Sequence, residues 1–288
     1  MSRMGGSTLE GIVAMAPGRC RRPAPAVPSA TNPWRAQRMN RPERALSPLG
    51  EEVDAFVSPM SKGVEASEDE ALLPEYLRRV YTWAYLNPRH MRLLDRHLVV
   101  SVILWGNADR LMDQAYKEFS AGQEVLLPAC VYGPFSRNLA NVVGPKGYLE
   151  VRDIAPVQIA HTRPKLAGLS QARLVCANAA DPVGRDFDGV CCFFLLHEVP
   201  DDWKKRVVDS LLAAVRPGGK AVFVDYHKPA AWHPLKPIMI GVFKTLEPYA
   251  MGLWDVEISD FAEERDAFTW TKETFFGGLY QKVVAVRR

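Results

Sequence analysis

Three stretches of the chain bring together side chains that can do chemistry. The first is Glu124 to Leu139, EVLLPACVYGPFSRNL, where an apolar run breaks at Gly133-Pro134 and a helical pattern follows. It reads as strand, tight turn and helix. In a nucleotide-binding α/β domain that turn lies at the carboxyl end of the first strand, with the helix N-terminus facing the ligand. Such loops ordinarily hold several glycines so that the backbone can approach the ligand closely, whereas Cys130, Val131 and Tyr132 stand here with Gly133 alone. The loop is therefore either altered for other chemistry or not a cofactor loop. The second stretch ends in Asp153, followed by Ile154, about 20 residues beyond the turn, where a carboxylate can accept both hydroxyls of a ribose. The plainer alternative is an exposed aspartate at a strand end. Further on, Asn178-Ala179 closes another strand, and the Asn178 side-chain oxygen suits an adenine amino group, with Asp181 as competitor. Either residue serves equally well to build a turn before Pro182. The third set is Leu196-His197-Glu198 with Asp225-Tyr226-His227, which would supply imidazole, carboxylate and phenol to one cleft. That mixture can move a proton or hold a divalent metal, with His197, Asp225 and His227 as the ligands. No HExxH spacing is present, and one histidine at a strand end is ordinarily a hydrogen-bonded rim residue.

These residues need a scaffold of alternating strands and helices. From Glu75 the pattern is helical, with Tyr76, Val80, Trp83 and Ala84 at spacings of three and four until Asn87-Pro88. A second helix carries Met91, Leu94 and Leu98, and a third runs from Asn107 to Phe119 before Gly122. After the hinge come a strand Tyr148 to Ile154, a helix Ala155 to Leu166 and a strand Arg173 to Ala177. Phe187 to Leu196 is nearly continuously apolar and reads as a buried central strand. A helix from Asp201 to Val215 is closed by Arg216-Pro217-Gly218-Gly219, and a fifth strand spans Ala221 to Tyr226. A helix from Leu235 to Met251 and two β-rich pieces, Asp266 to Thr271 and Gly278 to Arg287, complete the chain. The order predicts a doubly wound, mostly parallel sheet with an antiparallel hairpin at one edge, residues 123–288, beneath a helical cap, residues 71–122.

Composition narrows the function. With 288 residues and 48% hydrophobic content the chain can bury a sizeable core, and a net charge of +3 without a basic stripe argues against nucleic acid. Residues 1–70 are rich in Pro, Ala, Arg and Ser and lack apolar periodicity, so they are expected to be disordered. Up to Arg44 that segment sets eight arginines against Glu10 and Glu43, as a mitochondrial transit peptide would, but Pro23, Pro25 and Pro28 interrupt the helix such a peptide forms. The five cysteines form no CxxC pair and fit a reducing compartment, Cys191-Cys192 reading as small core residues. Leu98 to Trp105, LVVSVILW, is too short to cross a bilayer; such a run is expected in the core, with contact to a lipophilic ligand or a membrane surface as the other use.

The set YLEVRD, FDGVCCFFLLHEVPDD and LLAAVRPGGKAVFVDYH resembles class I S-adenosylmethionine-dependent methyltransferases, especially the quinone-pathway branch, over Glu124 to Arg288. The hinge VYG with its downstream leucine, and YTWAYLNPRHMRLLDRHLVVSVILWGN upstream, are similar to the rhodoquinone biosynthesis protein family. The resemblance implies a Rossmann-like methyltransferase fold. It implies replacement of a methoxy group of ubiquinone by an amino group, with S-adenosylmethionine as nitrogen donor and Mn2+ assisting as a Lewis acid. On this reading Val131, Tyr132, Gly133, Asp153, Ile154, Asn178, Ala179, Asp181 and Leu196 contact S-adenosylmethionine, and Tyr132, His197 and Tyr226 are the candidate catalytic residues. Asn178 stands where the class usually has an acid, keeping an acceptor oxygen and losing the charge. The partner is ubiquinone or a related lipophilic quinone, whose tail would run between the Leu98 to Trp105 segment and the helix carrying Pro237 to Met251. Such a protein is expected in the cytoplasm, peripheral to the inner membrane, or in the mitochondrial matrix if the N-terminus is a transit peptide. Ordinary methylation of a lipophilic phenol and a catalytically silent binding partner are the competing readings.

Overall fold

The computed structural model describes residues 73–80 and 88–288. The extension 1–70 and the helical positions Trp83 and Ala84 lie outside the described residues. Seven strands form one sheet: β1 Glu124–Leu127, β2 Tyr148–Asp153, β3 Ala172–Cys176, β4 Phe187–Phe193, β5 Val215–Tyr226, β6 Phe268–Phe275 and β7 Tyr280–Arg287. Their order is β3-β2-β1-β4-β5-β7-β6. The first five are parallel, and β7 runs antiparallel to both β5 and β6. The winding reverses between β1 and β4, so the switch point lies at the end of β1, beside the hinge turn.

The helices are α1 Glu75–Val80, α2 Pro88–Leu94, α3 His97–Ile103, α4 Ala108–Tyr116, α5 Phe135–Val143, α6 Pro156–Thr162, α7 Asp201–Ala213, α8 Lys236–Thr245 and the short α9 Gly252–Asp255. The two-residue period of a strand sends neighbouring side chains to opposite faces, and both faces are covered. Val125, Leu127, Cys191, Phe193, Val222 and Val224 pack with Met112 of α4, Leu139 of α5 and Phe243 of α8. Leu126, Val190, Cys192, Ala221 and Phe223 pack with Val207 and Leu211 of α7. Cys191 and Cys192 are thus core residues of opposite layers. Gly189 is needed in β4 because a Cβ there would lie 2.5 Å from the Phe119 ring.

Several elements depart from the sequence expectation. The helix through Met91, Leu94 and Leu98 is two helices, broken at Asp95-Arg96. The run Leu98 to Trp105 is not core: Leu98 is 78% and Val102 76% exposed, because only Val100 and Leu104 turn toward the protein. The expected helix Ala155 to Leu166 ends at Thr162 and tightens into a 3-10 turn, Arg163–Leu166, that contains Pro164. The helix expected to reach Met251 stops at Thr245, three residues before Pro248. Arg216 to Gly219 does not simply stop a helix. It lies inside β5 as a bulge, since pairing with β4 slips between Phe187↔Val215 and Gly189↔Lys220 while Gly218 takes φ +77°.

Candidate active site

The hinge turn is held by carboxylates and an ammonium from other parts of the chain. Gly133 adopts φ +74°, a left-handed conformation that glycine takes without steric cost. Its N–H donates to Asp95 Oδ1 at 2.9 Å. Lys165 Nζ donates to the same Asp95 oxygen at 2.6 Å, to Val131 O at 3.2 Å and to Gly133 O at 3.3 Å. His161 Nε2 lies 3.1 Å from the other Asp95 oxygen. Asp95, His161 and Lys165 were not legible as site residues, because their partners stand tens of residues away and no local spacing marks them.

Tyr132 accepts at its hydroxyl from Gln158 Nε2 at 3.1 Å and sets its ring edge-on to His161. Burial, opposed by the Gln158 hydrogen bond, raises its phenol above the ordinary range, so it stays protonated at neutral pH. Asp153 closes β2, and its two oxygens accept from Cys130 N at 3.0 Å and Ala155 N at 2.8 Å. Desolvation pushes this carboxyl up to about 6 against the lowering effect of those two amides. A carboxylate offers about four lone-pair sites, so both oxygens keep acceptor capacity for ribose hydroxyls. The acceptor capacity at this sheet end thus fits the hydroxyls of an adenosine-type ligand.

Beyond β3, Asn178 Oδ1 accepts from Ala180 N at 2.9 Å, the turn-building use of this residue. Asp181 O accepts from Ser210 Oγ, tying the turn to α7. Ala179 packs against the second core layer. Ile154 packs with Leu73 and Leu77 of the α1 region. Tyr76 of α1 reaches across to the rings of Trp203 and Tyr249, with Asp153 and Glu198 near enough to help raise its phenol after desolvation, the larger cause. This helix therefore packs over the end of β2, with Tyr76 reaching toward Glu198 beyond β4. Leu196 is wholly buried in the core, so its side chain offers no surface to a cofactor.

His197 and Asp225 do meet. His197 Nδ1 lies 2.9 Å from Asp225 Oδ1, and Asp225 also accepts from the backbone N–H of Leu196, His197 and Tyr226. Desolvation lowers the imidazole, but the Asp225 charge and hydrogen bond win and raise it to about 9. It is therefore an imidazolium at neutral pH, donating from Nδ1 to the carboxylate. Its ring stands edge-on to Tyr226, 5.0 Å between centroids, within an aromatic group that includes Phe194, Phe243 and Tyr280.

His227 does not join them. Its Nδ1 bonds Gly278 O at 2.8 Å on the β6–β7 hairpin side. The expected ligand set His197, Asp225 and His227 therefore fails, because Asp225 is committed to His197 and to three backbone amides. Among the described residues no group of three or more His, Cys, Asp or Glu side chains gathers in a way that could hold a metal ion. The residues do not fit Mn2+.

Strand order, switch point and the position of Asp153 define the fold of class I S-adenosylmethionine-dependent methyltransferases. Residues 125–219 match the family model described as a methyltransferase domain. The demethylmenaquinone methyltransferase of Bacillus cytotoxicus is 28% identical over 157 residues, 53% of this chain and 62% of that protein, under two thirds of its length. An uncharacterized methyltransferase of Synechocystis is 26% identical over 214 residues, 71% of this chain and 94% of that protein. Among solved structures, an O-methyltransferase family protein from Burkholderia thailandensis superposes with a TM-score of 0.53 at 14% identity, covering 76% of this chain and 68% of its own. The chain thus has a class I methyltransferase-like fold, and residues 125–219 within it match a methyltransferase domain.

Proposed function

We propose that the chain modifies a lipophilic quinone with S-adenosylmethionine, replacing a ring methoxy group of ubiquinone by an amino group so that rhodoquinone is formed. The observation that carries this reading is the hinge. A methyl donor presents its sulfonium carbon while the turn after the first strand holds its amino acid end. Here that turn has a single glycine, a bulky Tyr132, and a glycine N–H already bonded to Asp95. An amino acid end not held in the turn is free to approach the acceptor. The amine of S-adenosylmethionine would form the ring C–N bond as the methoxy group leaves with an amine proton as methanol. Loss of the Cα proton would then pass two electrons to the quinone, and hydrolysis of the resulting C=N bond would leave the amino group on the reduced ring and the donor as its α-keto acid. The chain's own part is electrostatic. His197, kept cationic by Asp225, would stabilise negative charge developing on a ring oxygen, the role that the resemblance gives to a metal. The neutral phenol of Tyr226 beside it adds a hydrogen-bonding group.

Two further observations support a lipid-soluble acceptor. The Bacillus relative carries the name of a quinone-pathway enzyme. The apolar face of α3 is exposed at Leu98, Val102 and Ile103, with Arg92, Arg96 and Arg110 exposed on neighbouring turns, a combination that suits an anionic bilayer surface.

Ordinary methylation of a quinone-pathway phenol is the second reading, favoured by the relatives' names. Mass analysis of the product formed from ubiquinone and S-adenosylmethionine decides between them. Loss of a methoxy group with gain of an amino group supports the proposal. A gain of one methyl on a phenolic acceptor, with ubiquinone left untouched, defeats it.

A further inference from the structure

The hinge amides and carbonyls are satisfied by a carboxylate and an ammonium, the two charged groups that an amino acid carries. Asp95 accepts from Gly133 N–H, and Lys165 donates to the carbonyls of Val131 and Gly133. The two are bonded to each other at 2.6 Å, each with 18% of its side chain exposed. They come from opposite sides of the turn in sequence, one from the α2–α3 junction and one from the 3-10 turn after α6. They border an open hollow of about 380 Å³ lined also by His97, Pro134 and Arg137, so small solutes can reach them.

We propose that the Asp95–Lys165 pair is a built-in substitute for the amino acid end of S-adenosylmethionine at this turn, and that it directs the ligand's own aminocarboxypropyl chain elsewhere. The inference rests on the reading of the site as one for S-adenosylmethionine. A ligand carboxylate brought to Gly133 N–H would face Asp95 at hydrogen-bond range, where two like charges repel and one must protonate or move away. A ligand ammonium brought to the hinge carbonyls would meet Lys165 in the same way. The turn therefore binds neither end of the zwitterion while the pair is in place. The adenosine half would rest on Asp153, which bonds Cys130 N rather than the Gly133 amide that Asp95 takes.

Calorimetric titration of the full chain with S-adenosylmethionine and with 5′-methylthioadenosine, which shares the adenosine and sulfur but lacks the amino acid end, tests this. In the unaltered protein the two ligands should differ in affinity by less than about tenfold, since the amino acid end gains little from the turn. In the near-isosteric double variant Asp95→Asn/Lys165→Gln, which removes both charges and keeps hydrogen-bonding groups, the preference for S-adenosylmethionine should rise by at least about tenfold. A preference above about tenfold in the unaltered chain overturns the inference, as does one that the substitutions leave unchanged or lower. Should the double variant fail to fold, the ratio measured on the unaltered chain still decides. Absence of heat with both ligands would instead overturn the cofactor reading, and this inference with it.

Discussion

Replacing Asp225 by asparagine removes the charge that keeps His197 protonated, and its effect on stability can be worked through. The imidazole stands at about 9 in the folded chain against an ordinary 6.5. A group raised on folding contributes stability that is complete below its unfolded value and is lost as pH rises through its folded value. The His197–Asp225 pair thus stabilises the fold fully below pH 6.5, and its contribution drains away between 6.5 and about 9. At roughly 1.4 kcal/mol per pH unit the displacement is worth about 3 kcal/mol. In Asp225→Asn the one side-chain oxygen can keep the Leu196 and His197 amides, which bond Oδ2, or the Tyr226 amide, which bonds Oδ1, but not all three, and only the more distant charges of Glu247 and Glu198 are left to oppose the desolvation that lowers the imidazole. Urea unfolding of both proteins at closely spaced pH values should show the unaltered chain losing about 3 kcal/mol more than the variant from pH 6.5 to 9.5, since the buried thiols of Cys130, Cys191 and Cys192, raised by desolvation, add the same loss to both at the alkaline end. Asp153, raised to about 6, loses its own contribution between roughly pH 4 and 6 in both proteins, below the window of interest. A variant with the slope of its parent would refute the assignment of the slope to this pair.

Other outcomes follow from the same structure. Asp153→Ala should weaken S-adenosylmethionine binding roughly ten- to a hundredfold in calorimetry, the worth of a charge-assisted hydrogen bond; unaltered affinity would remove Asp153 from the site. Leu98→Asp combined with Val102→Asp on the exposed face of α3 should abolish co-sedimentation with phosphatidylcholine–phosphatidylglycerol vesicles and leave the melting temperature within about 2 °C, since neither side chain is buried. Vesicle binding that survives would locate the lipid contact elsewhere. Gly147→Ala should cost more than about 2 kcal/mol, because its Cβ would stand 2.7 Å from Gln123 O and closer still to Val143 O, both rigid backbone atoms. A melt that matches the parent protein would show that the α5–β2 connection yields.

The sequence by itself determined the strand and helix alternation, the buried character of β4 and the presence of Asp153, His197 and Asp225 at strand ends. Those are consequences of hydrophobic period, which is local and survives without tertiary information. It could also show that the hinge holds Gly133 alone where such loops carry several glycines. What occupies the hinge instead was decided only by the tertiary structure, because Asp95 and Lys165 lie 70 residues apart and meet solely through the packing of α2, α3 and the turn after α6 around it. The same holds for the metal reading. Spacing placed His227 beside Asp225, but the strand's pairing with the β6–β7 hairpin turned its ring to Gly278. It holds again for the apolar run Leu98 to Trp105, read as core from composition, which the break at Asp95-Arg96 lays across the surface with its leucine and valine facing outward. Local pattern fixes which residues prefer to be buried, and only the arrangement of neighbouring elements settles which of them find something to be buried against.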